Sequence, residues 1–182
     1  MIKQKVITPE EEYEIVLAAL KNPAEFRILY DLHYTAIFRF VHSRVSDINA
    51  VADVVSDVFY SALTKLSTYS YKGYSIKSWL YKIAYNQIMS LYRSESKIRT
   101  VSLDTEDLET LADDGESRSF LDLDVLKRGL NQLSDEDLSL VEMKYFEKIS
   151  YREMGQILGI TEVNAKVKTH RVIKKLRGLI VK

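Results

Sequence analysis

Apolar residues recur every three or four positions along most of this chain, and the helices they predict open on clear start signals. Thr8-Pro9-Glu10-Glu11 places a hydroxyl at the N-cap, proline at the first helical position and glutamate at the third, a capping box. Asn22-Pro23-Ala24-Glu25 repeats the device, and Phe26, Leu29, Tyr30, Ile37, Phe40 and Val41 then predict a long helix to about Arg44. A third helix follows Ser46-Asp47, with Val51, Val54, Val55, Val58, Phe59, Ala62, Leu63 and Leu66 on its apolar side. The tyrosine-rich stretch 67–75 (STYSYKGYS) breaks the periodicity and reads as a loop. The pattern resumes near Ile76, with Trp79, Leu80, Ile83, Ala84, Ile88 and Leu91 as the expected buried stripe.

From about Ser94 to Ser119 the pattern fades into acids, serines and threonines, and reads as a flexible linker. Beyond it, one helix is expected from about Phe120 to Gln132. A second, capped by Ser134, should end near Glu147. Ser150-Tyr151-Arg152-Glu153 is a full capping box opening a short helix that stops at Gly159, and Thr161 caps a last helix to about Ile180. The expectation is an all-α chain: two small helical domains, 1–95 and 120–182, joined by an acidic flexible linker over 96–119. The C-terminal domain carries a helix-turn-helix.

Composition narrows the class. The chain has two prolines, six glycines and no cysteine, so long helices are expected and disulfides and thiolate metal sites are excluded. No apolar run approaches the ~18–20 residues that span a bilayer, and MIKQKVITPEEEYEI shows no apolar signal core. These features point to a cytoplasmic protein without stable membrane insertion. The three histidines (His33, His42, His170) are isolated, and no phosphate-cradling glycine loop, catalytic triad or metal-ligand spacing occurs. An enzyme is therefore disfavoured, and neither cofactor nor metal is expected.

Net charge is zero, but its distribution is uneven. From Asn164 onward there are seven bases and no acid; residues 65–99 hold seven bases against Glu95 alone; residues 104–124 hold nine acids and one base, Arg118. Two basic zones flanking an acidic one suggest two polyanion-binding surfaces. In the last helix Ala165, Thr169, Val172, Ile173 and Leu176 share one side, suited to packing on Met154, Ile157 and Leu158. Lys166, Val167, His170, Arg171 and Lys174 lie towards the other, where a recognition helix reads the major groove. Lys175 and Arg177 would sit nearer the DNA backbone. A lone basic helix more often presents nothing beyond a solvated face; capping, turn length and one-sided charge together favour DNA binding.

Residues 130–177, LNQLSDEDLSLVEMKYFEKISYREMGQILGITEVNAKVKTHRVIKKLR, resemble region four of the extracytoplasmic-function sigma factors of bacterial RNA polymerase. Tyr145-Phe146, Ser150-Tyr151, Glu153, Gly159-Ile160-Thr161-Glu162, Asn164, Lys166-Val167-Lys168 and His170-Arg171 fall in register. Ser134 stands in place of a usual proline, Ala165 of a valine and Thr169 of a leucine or isoleucine. The last two trim apolar volume from the motif. Asp53-Val54-Val55-Ser56-Asp57-Val58-Phe59 is similar to the region-two segment that docks on the clamp helices of the polymerase β′ subunit, with Ser56 where glutamine is usual. Residues 78–86, SWLYKIAYN, resemble the helix that reads the minus-ten element, with Tyr85 replacing an arginine.

The resemblance covers roughly residues 22–93 and 122–178. It implies core RNA polymerase (β′ clamp and β flap), promoter DNA and an anti-sigma factor as partners, and association with the nucleoid in the holoenzyme. It implies that Lys166, Val167, Lys168, His170, Arg171 and Lys174 hold the minus-thirty-five element, and that Asp53, Asp57 and Phe59 bind polymerase. Tyr69, Tyr71, Lys72, Tyr74, Lys77, Lys82 and Asn86 are the minus-ten candidates, since capturing unstacked bases calls for aromatic faces beside cations. Each tyrosine could equally be covering the core, and Trp79 is read as core. A two-domain repressor or activator would explain the basic C-terminal end but not the loop and the Trp79-Leu80-Tyr81 helix. A helical interaction protein with no DNA role is the third alternative.

Overall fold

A computed structural model describes residues 7–45, 47–94 and 123–180, and every described element is helical. The expected linker over 96–119 lies outside the described residues. The rest falls into two compact units.

In the first unit, α1 (Pro9–Lys21), α2 (Phe26–His42), α3 (Ile48–Thr64) and α4 (Lys77–Ser94) pack around α2, which touches the other three. The predicted starts hold. Thr8 Oγ1 accepts from Glu11 N–H at 3.2 Å, while the Glu11 carboxylate accepts from Thr8 N–H at 3.0 Å. Asn22 caps a single 3₁₀ turn that leads into α2, and Asp47 caps α3. Leu29, Ile37 and Val41 of α2, Val51, Val58 and Ala62 of α3, and Leu80, Ala84 and Ile88 of α4 are sealed from solvent. Each of the valines, leucines and isoleucines contributes about 1.5–3 kcal/mol by leaving water, and the alanines less.

The expected α4 stripe is only partly sealed: Leu80, Ala84 and Ile88 are buried, while Trp79, Ile83 and Leu91 are partly exposed. Tyr81, not Trp79, fills the core: it is fully buried, with its ring edge-on to Phe40 at 4.8 Å, whereas Trp79 is half-exposed against Tyr69 at 5.5 Å. Two positions apart on a helix, the two aromatic residues point to nearly opposite sides, and Tyr81 is the one on the side of Leu80, Ala84 and Ile88, where Phe40 meets its ring.

A polar pair is built into this unit. Glu12 of α1 is 6% exposed, and its Oε1 lies 2.7 Å from Nε2 of His33 on α2. Its Oε2 accepts the backbone N–H of Ile76 at 2.6 Å. Burial pushes the Glu12 carboxyl up, but hydrogen bonding and attraction from His33, with the Ser75 and Ile76 hydrogen bonds, outweigh it and hold it below the ordinary glutamate range. A carboxyl with a depressed folded-state pKa contributes stability above its unfolded value that is lost as pH falls through the folded one. The urea midpoint of the first unit should therefore fall from about pH 5 downward, and Glu12→Gln should flatten that acid limb. An acid limb unchanged in the Gln variant would exclude Glu12 as its source.

In the second unit, α5 (Leu123–Asn131), α6 (Asp135–Val141), α7 (Tyr151–Leu158) and α8 (Glu162–Ile180) follow in close succession. The helix predicted to end near Glu147 keeps α geometry only to Val141, then widens into a π turn over Glu142–Phe146. Glu147 N–H donates to Glu142 O at 3.0 Å and Ile149 N–H to Met143 O at 2.8 Å, and Met143 is fully buried. Helix α5 runs so close to α8 that a methyl placed on Gly129 would lie 2.9 Å from Ile180 Cγ2 and 3.0 Å from Leu176 Cδ1.

Candidate nucleic-acid interface

The helix-turn-helix is formed by α7 and α8. Ser150 and Glu153 exchange the two bonds of a capping box at the start of α7, and Gly159 ends it with φ 69°, a conformation in which a Cβ is strained. Ile160 N–H then donates to Gly155 O at 2.8 Å, and Thr161 Oγ1 accepts from Asn164 N–H at 3.2 Å to open α8. Gly155 permits this turn, since a Cβ there would stand 2.7 Å from the Ile160 carbonyl oxygen and 3.2 Å from Glu162 N.

Ala165, Thr169, Val172 and Leu176 are buried beneath α8, as the pattern predicts. The two small residues leave no polar orphan, because the Thr169 hydroxyl donates to Ala165 O at 2.8 Å. Lys166, Val167, Lys168, His170, Arg171 and Lys174 are all exposed. Lys175 is exposed, and its Nζ pairs with Asp137 of α6 at 2.9 Å. Two neighbours were missed. Val163, 71% exposed, sits one turn before Val167 and presents an apolar surface of the kind that meets a thymine methyl. Lys144 lies 4.6 Å over the Tyr151 ring, itself beside His170 at 6.5 Å, and adds a cation at the edge of the motif.

The second basic surface spans residues 69–77 and α4. Lys72, Lys82 and Asn86 are exposed, Tyr74 is half-buried, and Lys77 Nζ lies 5.3 Å over the Tyr81 ring. Gly73 turns the loop with φ 80°. Tyr69 is half-buried against Trp79, and burial, reinforced by Glu12, pushes its phenol far above the ordinary range, so the ring stays neutral. Tyr71 is engaged on one face, stacked on Tyr13 at 4.5 Å, and its hydroxyl donates to Glu10 at 3.0 Å. Trp79 and Asn86 are seven residues apart and so share a helical stripe. The half-exposed indole therefore belongs to this surface, a spacing signal that was available in the sequence.

A third surface lies on α3. Asp53, Ser56, Asp57 and Tyr60 form an exposed stripe at helical spacing, and Tyr60 is 70% exposed. Phe59 does not join it. At 4% exposure it is packed against Tyr30 at 4.6 Å and Tyr34 at 6.4 Å, since a residue two positions from Asp57 points to the other side of the helix. Among the described residues no group of three or more His, Asp or Glu is placed to hold a metal, and no helix is long and apolar enough to cross a membrane.

Residues 29–98 match the family model Sigma-70 region 2, and residues 123–176 match Sigma-70, region 4. The chain is 26% identical over 168 residues to the RNA polymerase sigma factor YlaC of Bacillus subtilis, covering 90% of this chain and 96% of that protein. It is 24% identical over 152 residues to the ECF RNA polymerase sigma factor SigM of the same organism, covering 83% and 92%. Among solved structures, the sigma factor RpoE of Bartonella quintana, in complex with the anti-sigma factor NepR, shares the fold. Its TM-score is 0.65 at 22% identity, over 86% of this chain and 96% of that one.

Proposed function

This chain belongs to the extracytoplasmic-function sigma factors, and from that premise we propose how its surfaces divide the work of promoter-specific transcription initiation. As a sigma factor it binds core RNA polymerase and directs it to promoters. Residues 1–95 serve as the region-two domain and 120–182 as the region-four domain, with 96–119 connecting them. The exposed Asp53–Asp57 stripe docks on the β′ clamp, with Phe59 holding α3 in place from behind, and the second domain meets the β flap. Bond-making stays with the polymerase, in the cytoplasm. A sigma factor of the same fold is bound by an anti-sigma factor, and the same kind of regulator is proposed here.

The observation that carries this reading is the pairing of two different DNA surfaces in one chain. The basic face of α8 suits duplex DNA in the major groove. The loop and α4 offer Trp79, Lys72, Lys82 and Asn86, suited to unpaired bases. A repressor needs only the first. The deciding experiment is transcription with core polymerase: the holoenzyme should open a promoter and prefer a fork-junction template carrying a single-stranded minus-ten element over the matched duplex. Equal affinity for the two templates would favour a repressor.

Within α8 the residues divide by role. Lys166→Ala should flatten the dependence of log affinity on log salt by about one unit, because one phosphate contact no longer releases a counterion. Arg171→Ala should cost about 1–3 kcal/mol and relax preference at a single minus-thirty-five position. Unchanged footprints and salt slopes in both variants would remove α8 from the interface.

A further inference from the structure

We propose that α1, which precedes the region-two match, is a positioning arm for promoter-strand capture: Glu10, Glu12 and Tyr13 hold the 69–76 loop and the start of α4 in the form that receives unpaired bases. This rests on the sigma-factor reading above and assigns it three residues that the resemblance did not supply.

Three contacts run from less than one and a half turns of α1 to two points on the loop. Glu12 accepts the N–H of Ile76, the residue immediately before α4. The first N–H groups of a helix have no partner within it, and a carboxylate there also meets the positive end of the helix dipole. Glu12 thus caps α4 from a different helix, and its other oxygen is tied to His33 of α2. Further along the loop, the Tyr13 ring stacks on Tyr71 with planes 14° apart, and Glu10 accepts from the Tyr71 hydroxyl. Between the two held points lie Lys72 and Gly73, both exposed, with the glycine at positive φ. The capping box at Thr8 and Glu11 sets the first turn of α1, which fixes where all three arms begin.

This arrangement exceeds what covering the core requires. Val16 and Ala19 already provide the apolar contacts of α1. A buried carboxylate is costly unless matched by specific partners, and here those partners are the loop end and α2. Tyr71 presents one ring face to Tyr13, so a captured base takes the other and extends an existing stack. The exposed cations Lys72 and Lys82 and the exposed Asn86 amide lie on the loop and helix whose positions these contacts set.

The test uses holoenzyme assembled from core polymerase and the full chain carrying Glu12→Ala, Glu12→Gln or Tyr13→Ala. Three quantities are measured: affinity for a fork-junction template relative to the matched duplex, affinity for core polymerase, and thermal unfolding of the free chain. Glu12→Ala and Tyr13→Ala should each lower the fork-junction preference roughly tenfold, about the worth of one stacked base, with core-polymerase affinity unchanged. Glu12→Gln retains an acceptor for Ile76 and should restore most of the preference. Fork-junction preference that persists in both Ala variants overturns the proposal. So does a loss of polymerase affinity in parallel with template preference, which is the mark of general unfolding. An unmodified holoenzyme with no fork-junction preference overturns the sigma-factor reading itself, a result the variants cannot mimic.

Discussion

Holoenzyme formation should fail when Asp53 and Asp57 are both replaced by lysine, and it should fail without loss of fold. The two carboxylates stand four residues apart on the outer side of α3, exposed, beside Ser56 and Tyr60. Exposed substitutions of this kind shift stability by no more than about 0.5 kcal/mol. At an interface the arithmetic differs, because placing like charges where opposite ones met costs several kcal/mol. For two reversals an effect of about 4 kcal/mol, nearly a thousandfold in affinity for core polymerase, is expected. Titration of core enzyme with labelled chain measures it, and a melting curve alongside checks the fold. Phe59→Ala makes the informative contrast. Removing a buried aromatic costs about 3–5 kcal/mol of stability, so it should lower the melting temperature first and polymerase binding only as a consequence. Full-strength binding by the double lysine variant would move the docking surface away from α3.

The second large effect is expected at Gly155. Valine there would press its Cβ against the Ile160 carbonyl and the backbone at Thr161 and Glu162, none of which is the free end of a flexible side chain. Relief requires α7 and α8 to separate, which disturbs the buried Ala165 and Thr169 beneath the reading face. Overpacking commonly costs about 1–3 kcal/mol, and a clash with backbone belongs at the upper end. The variant should show a lower urea midpoint for the second unit and lose affinity for a minus-thirty-five duplex even where it remains folded, since the angle between the helices changes. Gly178 is the control: a Cβ there meets nothing within 4 Å, so Gly178→Ala should bind DNA normally. Normal affinity in the Gly155→Val variant would mean that the turn tolerates a different angle.

Local chemistry was the legible part of this chain. Capping boxes at Thr8 and Ser150, the left-handed Gly159 and the two sides of α8 depend on residues within one turn of each other, and they stand where the pattern placed them. What escaped involves partners far apart in sequence. Glu12 meets His33 across 21 residues and Ile76 across 64, and nothing near Glu12 marks it as buried. Tyr81 meets Phe40, 41 positions earlier, a contact the sequence does not announce, although the helical phase of Leu80, Ala84 and Ile88 already favours Tyr81 over Trp79. Phe59 was drawn into the docking set by a family motif that runs linearly along the chain, although a helix turns it away from Asp57. The π turn after Val141, which contains the buried Met143, has no simple sequence signal.

The close crossing at Gly129 bears on how such a protein could change its target. Helix α8 is clamped along its rear half by α5 and by the Lys175–Asp137 pair, while residues 163–171 project their outward side chains free of both. Its front half rests on α7 through the buried Ala165 and Thr169, and its outward side chains take no part in that packing. Substitutions at Val163, Lys166, Val167, His170 or Arg171 alter what the helix reads without disturbing that packing. A duplicated gene could therefore acquire a new set of promoters by point changes in one short stretch, with folding left undisturbed.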